Sequence, residues 1–504
     1  HRPLNVGSSG IALLAALPEL LKQENFVLTA ALGWIERYQL QSPALKADDL
    51  KSFVKNTKLP AQARSIALNL FIATKPEKLD AFLSEIMDDS SDEVSLTALT
   101  AIAKLSPESA IPALQAAVDS QNINRAQKTW RILATVSGDF VDAIFIEKLN
   151  KLRSNKGVSP SAIELLSAAK QRTHASVKEA VDAFEKSLTA SSDPLAKWNI
   201  SLEGGDANNG GELFKSRPAS ECMRCHRAEE GHTVGGETAP NLAGIANRHL
   251  DRRYFLESIL QPSATISPGF GAVLIDFKNG TNLSGNLIAE SAEHIDLNVT
   301  GKNLRIRRSD IASLTPPISP MPPMGDALNP SQLRDIIAWL ASLKQGGEKQ
   351  ASVIATEPFD PATLVAAAST TAPNDIDPAL MKIGQQQYIL CSACHGQNGE
   401  GTVVGPPLAG SEWVNGPEEN LIRIQLRGLK GPIKVKDKEY NFPAGMMAQA
   451  YQTDDQIAAV LTYVRNSFGN SAPVVKSSSV ITLRSEVGKP QLTTKDLVSP
   501  ILPK

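Results

Sequence analysis

Four cysteines occur in this chain of 504 residues, and all four fall in two copies of one pattern: Cys222-Met223-Arg224-Cys225-His226 and Cys391-Ser392-Ala393-Cys394-His395. Two thiols separated by two residues can lie along one edge of a helical turn, where they add across the two vinyl groups of a single porphyrin. The histidine that follows then reaches the iron from the same side. The pattern predicts two covalently attached c-type haems. Cys222, Cys225, Cys391 and Cys394 are the expected thioether donors, and His226 and His395 the proximal iron ligands. Other uses of paired cysteines fit less well. A four-cysteine zinc ribbon keeps its pairs close in sequence, and these are far apart. A thioredoxin-like dithiol needs a βαβ setting and gives no reason for a histidine after both pairs. Two ordinary disulfides are the remaining alternative.

An iron held by one histidine needs a sixth ligand, and a methionine thioether there raises the potential and closes the site to substrates. Of the seven methionines, Met321 and Met324 follow His226 in Ser319-Pro320-Met321-Pro322-Pro323-Met324-Gly325, and Met446 and Met447 follow His395. Each pair precedes a helical segment, where a ligand loop crosses the distal face. Met321 is expected at the first iron and Met446 at the second, with Met324 and Met447 as the alternatives. Two further elements recur. Ala239-Pro240-Asn241-Leu242-Ala243-Gly244 matches Gly405-Pro406-Pro407-Leu408-Ala409-Gly410, so the carbonyl of Pro240 or Pro406 can accept the Nδ1–H of the proximal histidine and fix its tautomer. Gly210-x-x-x-Phe214 and Gly384-x-x-x-Tyr388 precede the two motifs. There a glycine lets the first and last helices of each unit cross closely, against partner helices over 333–343 and 457–468.

The elements that position these residues follow from periodicity. Over residues 1–200 apolar positions recur at i, i+3, i+4 and i+7, in segments beginning near Ala63, Glu93, Ala126 and Ser161, a period of roughly 30 to 35 residues. Helical hairpins that bury their stripes only against their neighbours explain this best, and the pattern resembles HEAT repeats. A first haem unit is expected over 202–344. Inside it, at about 269–314, the period changes to that of β-hairpins, with Asn279-Gly280 at one turn. A linker follows at 345–377, a second haem unit at 378–469 and an extended C-terminal tail at 470–504. The fold class is therefore mainly α. The net charge of −2 gives no global argument for nucleic acid, and no apolar run is long enough to span a bilayer. The chain begins at His1 without a signal peptide, as expected of a mature or cleaved product.

The second unit, from Gly384 through Asp455-Gln456-Ile457-Ala458-Ala459-Val460-Leu461-Thr462-Tyr463-Val464-Arg465-Asn466, resembles a monohaem class I cytochrome c. The first resembles the haem-binding cytochrome domain described from planctomycetes and verrucomicrobia. It does so through Cys222-x-x-Cys225-His226, Ala239-Pro240-Asn241-Leu242, Ser258-Ile259-Leu260-x-Pro262, the β-insertion, and Ser319-x-Met321-Pro322 before Leu333-Arg334-Asp335. These resemblances imply a HEAT-like solenoid followed by two cytochrome c folds. In the second family such units often accompany a β-propeller dehydrogenase domain, which this sequence lacks. The expected function is electron transfer by two haem c groups, from an extracytoplasmic dehydrogenase domain or subunit to a further redox acceptor, in the periplasm or an equivalent compartment. No residue is assigned a catalytic role. The alternative is a dihaem peroxidase-like enzyme with one open iron position.

Lesser features carry weaker readings. Arg423, Arg427, Lys430, Lys434, Lys436 and Lys438 form a basic stretch that could steer an acidic partner or simply be solvated. His174, His232, His249 and His294 have no partner at metal-ligand spacing and are read as structural or solvated.

Overall fold

The structure is a computed structural model describing residues 15–23, 26–40, 45–216, 222–228, 239–299, 301–346, 355–364, 376–402, 405–442 and 445–500. The chain is mainly α and divides into two compact units. One comprises residues 1–206 with 333–338, the other residues 207–332 with 339–504. Among the described residues no helix is long and apolar enough to cross a membrane.

Among its described residues the regular structure of the first unit is all helical. Helix Ala61–Ala73 packs on Asp92–Leu105, that helix on Ile123–Thr135, and that in turn on Ala162–Ala169. Alternate helices of this series are thus spatial neighbours. One apolar core runs from Leu28 through Leu68, Leu99, Leu133 and Phe145 to Phe184. Polar ties recur at similar spacing: Arg64 pairs with Asp89, Arg125 with Asp92 and Arg172 with Asp142. Arg64 also donates to the Val54 carbonyl at 2.8 Å, which satisfies a guanidinium that burial would otherwise penalise.

In the second unit the period-2 region forms a sheet. Strands β1 (Gly271–Phe277), β2 (Asn282–Glu290), β3 (His294–Val299), β4 (Lys302–Arg307), β5 (Ile311–Leu314) and β6 (Glu357–Pro358) lie in the order β5-β1-β2-β3-β4-β6. All neighbours are antiparallel except β4 and β6. At the β1–β2 turn Asn279 Oδ1 accepts from the Thr281 amide at 3.0 Å, and Gly280 takes a φ of +83°. Val273, Ile275, Phe277, Ile295, Leu297 and Ile306 fill one face of the sheet.

Two boundary expectations need correction. The segment 345–377 is not simply a linker: Glu357–Pro358 adds a parallel edge strand, and Phe359 and Leu364 pack on the sheet core. Composition rich in Ala, Thr and Pro hid this, because the strand is two residues long. The tail is not merely extended either. It contains helix Ser477–Leu483, and Val475, Val480 and Leu492 are buried in cores of the second unit. Arg423 and Arg427, read as part of a possible docking stretch, instead hold this tail. Both pair with Glu486, and they donate to the carbonyls of Asp496 and Pro490.

The remainder of the second unit centres on helices Pro378–His395 and Asp454–Arg465, which cross at Gly384. A Cβ added there would stand 2.2 Å from the Ala459 carbonyl oxygen. In the same unit the glycine that meets Trp339 is Gly211, the neighbour of the expected Gly210, and the Phe214 and Trp339 rings lie 4.4 Å apart at a tilt of 40°. Lys436 and Asp437 both have positive φ and form the two-residue turn between β7 (Ile433–Val435) and β8 (Lys438–Tyr440).

Candidate haem-attachment sites

Cys222–Arg224 form a single 3-10 turn, and the amide of His226 donates to the Cys222 carbonyl at 3.0 Å. That turn brings Cys225 and His226 beside the loop containing Pro240: the Ala239 amide donates to Cys225 O at 3.1 Å, and Leu242 N to Arg227 O at 2.7 Å. His226 Nδ1 lies 2.8 Å from the Pro240 carbonyl oxygen.

The second motif instead ends a continuous helix. Pro378–His395 is capped by Asp377, starts with proline at its first position and stops at Gly396, whose φ is +83°. The loop then doubles back. Gly401 N donates to His395 O at 2.7 Å, and Thr402 Oγ1 to Cys394 O at 2.6 Å. Any side chain at Gly405 would stand 2.5 Å from the Cys394 carbonyl oxygen, so glycine permits the close return. His395 Nδ1 lies 2.7 Å from Pro406 O.

Burial pushes the pKa of both imidazoles below the ordinary histidine value, against the opposing effect of the proline carbonyls. The consequence is a neutral ring that donates Nδ1–H to a carbonyl and keeps the Nε2 lone pair for a metal. None of the four cysteines is joined in a disulfide, and burial, with Cys394 adding, pushes the Cys391 thiol up to about 12. A redox dithiol needs the opposite shift. Tyr388 braces this site by donating its hydroxyl to Gly396 O at 2.7 Å.

The methionines divide by environment. Met324 is buried, and its carbonyl caps the turn at Ala327 and Leu328. Met321 is half-buried and lines a cavity with Leu260 and Ile318. Met446 is fixed by paired backbone hydrogen bonds to Leu429 and lies against Ile424, Leu429 and Leu492, while Met447 is half-buried beside it.

Three further histidines lie among the described residues. His249 stacks on Tyr254 at 3.4 Å, and burial, then Arg248, lowers its pKa. His294 contacts Ser291 and Asp296. His174 lies near Asp139 and Asp142, but the Asp142 carboxylate is already held by Arg172 at 2.8 Å. His232 lies outside the described residues.

Residues 381–468 match the family model for cytochrome c. That span takes in Cys391, Cys394, His395, Met446 and Met447. The chain therefore contains a cytochrome c domain, a haem c-binding module of electron-transfer proteins. A comparison with curated proteins finds no match to the chain.

Proposed function

We propose that the chain is a dihaem c-type cytochrome that relays electrons between an extracytoplasmic dehydrogenase and a further redox acceptor. One observation carries the reading. Both CxxCH segments place a neutral imidazole with Nδ1 on a proline carbonyl, at 2.8 and 2.7 Å, although one lies in a 3-10 turn and the other at a helix end. Two unrelated local backbones arriving at the same second-sphere contact argue for the same chemistry at both.

In this reading Cys222 and Cys225 hold one haem and Cys391 and Cys394 the other. His226 and His395 would supply the imidazole ligands to the irons, and Met321 and Met446 would supply the thioether ligands. A bound haem supplies one-electron iron chemistry. The protein holds each imidazole in one tautomer, so little reorganisation accompanies a change of charge. The helices of the first unit, several of which pack on their second neighbours, form a HEAT-like solenoid that docks the dehydrogenase or another partner. Covalent attachment of this kind places the protein in the periplasm or an equivalent compartment.

Redox titration of the matured chain is expected to show two one-electron steps, with the weak red charge-transfer band of His/Met ferric haem at both irons and no rapid cyanide binding. Rapid cyanide binding to the resting protein would sink the relay and favour an enzyme with an open iron position.

A further inference from the structure

Strand β1 is buried on both faces, and its two faces serve different sites. Val273, Ile275 and Phe277 point into the core of their own sheet. Ala272 and Leu274 pack against Ile389 of helix Pro378–His395, two residues before Cys391. The same outward row continues at Asp276, whose carboxylate pairs with Lys382 at 2.6 Å. From β2, the Ser284 hydroxyl and carbonyl bind the Gln397 side chain just beyond His395. The sheet of the first haem unit is thus laid along the second attachment helix from Lys382 to beyond its end.

The edge of β1 also carries the loop leading to Met321. Thr315 N donates to Leu274 O at 3.0 Å, and Ala272 and Ile318 exchange two backbone hydrogen bonds of 2.9 Å. Ala272 therefore touches both the methionine loop of one site and the attachment helix of the other. Where these meet lies a cavity of about 230 Å³, mostly apolar, lined by Leu260, Ile318 and Met321 on one side and Leu390 and Tyr451 on the other. Leu390 adjoins Cys391. Tyr451 donates to Gln449 Oε1 at 2.8 Å, and burial, with Cys391 adding, pushes its phenol up to about 12. A seam with no charged side chain in its lining adjoins both sites.

We propose that electrons cross between the two haems at this seam, from the Met321 side to the Cys391 side or back, with β1 setting its width and Leu390 and Tyr451 closing it. The proposal rests on the dihaem reading above. In the step, one iron passes from ferrous to ferric as the other is reduced. No bond forms or breaks and no proton moves, which suits a cavity lined by no charged side chain.

The test uses the full chain with its haem content measured first. Low-temperature electron paramagnetic resonance of the oxidised protein should show dipolar coupling between the irons, and flash reduction should show fast intrachain equilibration. Ala272→Phe, a wedge between β1 and Ile389, should weaken the coupling and slow equilibration severalfold, with both haem spectra unchanged. Leu390→Ala should slow it without moving the irons apart. Should the wedge variant fail to fold, the wild-type coupling decides. Two haems without coupling, or variants that equilibrate at the wild-type rate, would overturn the seam while leaving the dihaem reading intact. A single haem per chain would overturn both.

Discussion

Met321 and Met324 stand three residues apart in one loop, and sequence spacing treats them as near equals. Burial separates them. Met324 is packed into the core with its carbonyl engaged, whereas Met321 faces a cavity. Met324→Ala should therefore cost stability, roughly 2 to 5 kcal/mol as for other buried Met truncations, and leave the haem spectrum unaltered. Met321→Ala should do the reverse, losing one haem's share of the red charge-transfer band and admitting cyanide. Denaturant titration and visible spectra read the two effects separately. The cysteines and histidines were legible in the sequence because their spacing is itself the chemistry. The loop prolines were legible as a repeated element, yet only coordinates put Pro240 O and Pro406 O within 2.8 Å of the rings. Distal ligands depend on which way a side chain turns, and linear spacing does not carry that.

At the scale of elements, Gly384 shows what close helix crossing demands. A methyl group there would meet the Ala459 carbonyl and the Tyr463 side chain, so Gly384→Ala should force the helices apart. A loss of roughly 1 to 3 kcal/mol in denaturant unfolding is expected from such overpacking. The tail supplies a pH dependence. Arg427 above all, then Lys489 and Arg423, hold the Glu486 carboxyl down to about 2 from an ordinary 4.5. A carboxylate with a lowered folded pKa contributes stability that is complete above about 4.5 and is lost as pH falls from there toward 2. Proteolytic release of the tail should rise over that window, and Glu486→Gln should release it more readily at neutral pH with a flatter profile. None of this was readable beforehand: Arg423 and Arg427 looked like surface charge because their partner lies some sixty residues later. The apolar run Val273-Leu274-Ile275 did carry a signal, since a strand apolar at successive positions is covered on both faces.

For the molecule as a whole, the helical character of the first unit was legible, because its apolar residues recur at helical spacing and fill one core. The docking of the sheet on the second attachment helix was not, because it depends on contacts such as Asp276 with Lys382 between segments a hundred residues apart. The account stands or falls on two covalent haems in one chain. Intact mass and peptide mapping of the matured protein measure this most directly. The prediction is two haem additions, one on the peptide of Cys222 and Cys225 and one on that of Cys391 and Cys394, with Cys222→Ala/Cys225→Ala removing only the first. A mature chain with haem on the second peptide alone would contradict it.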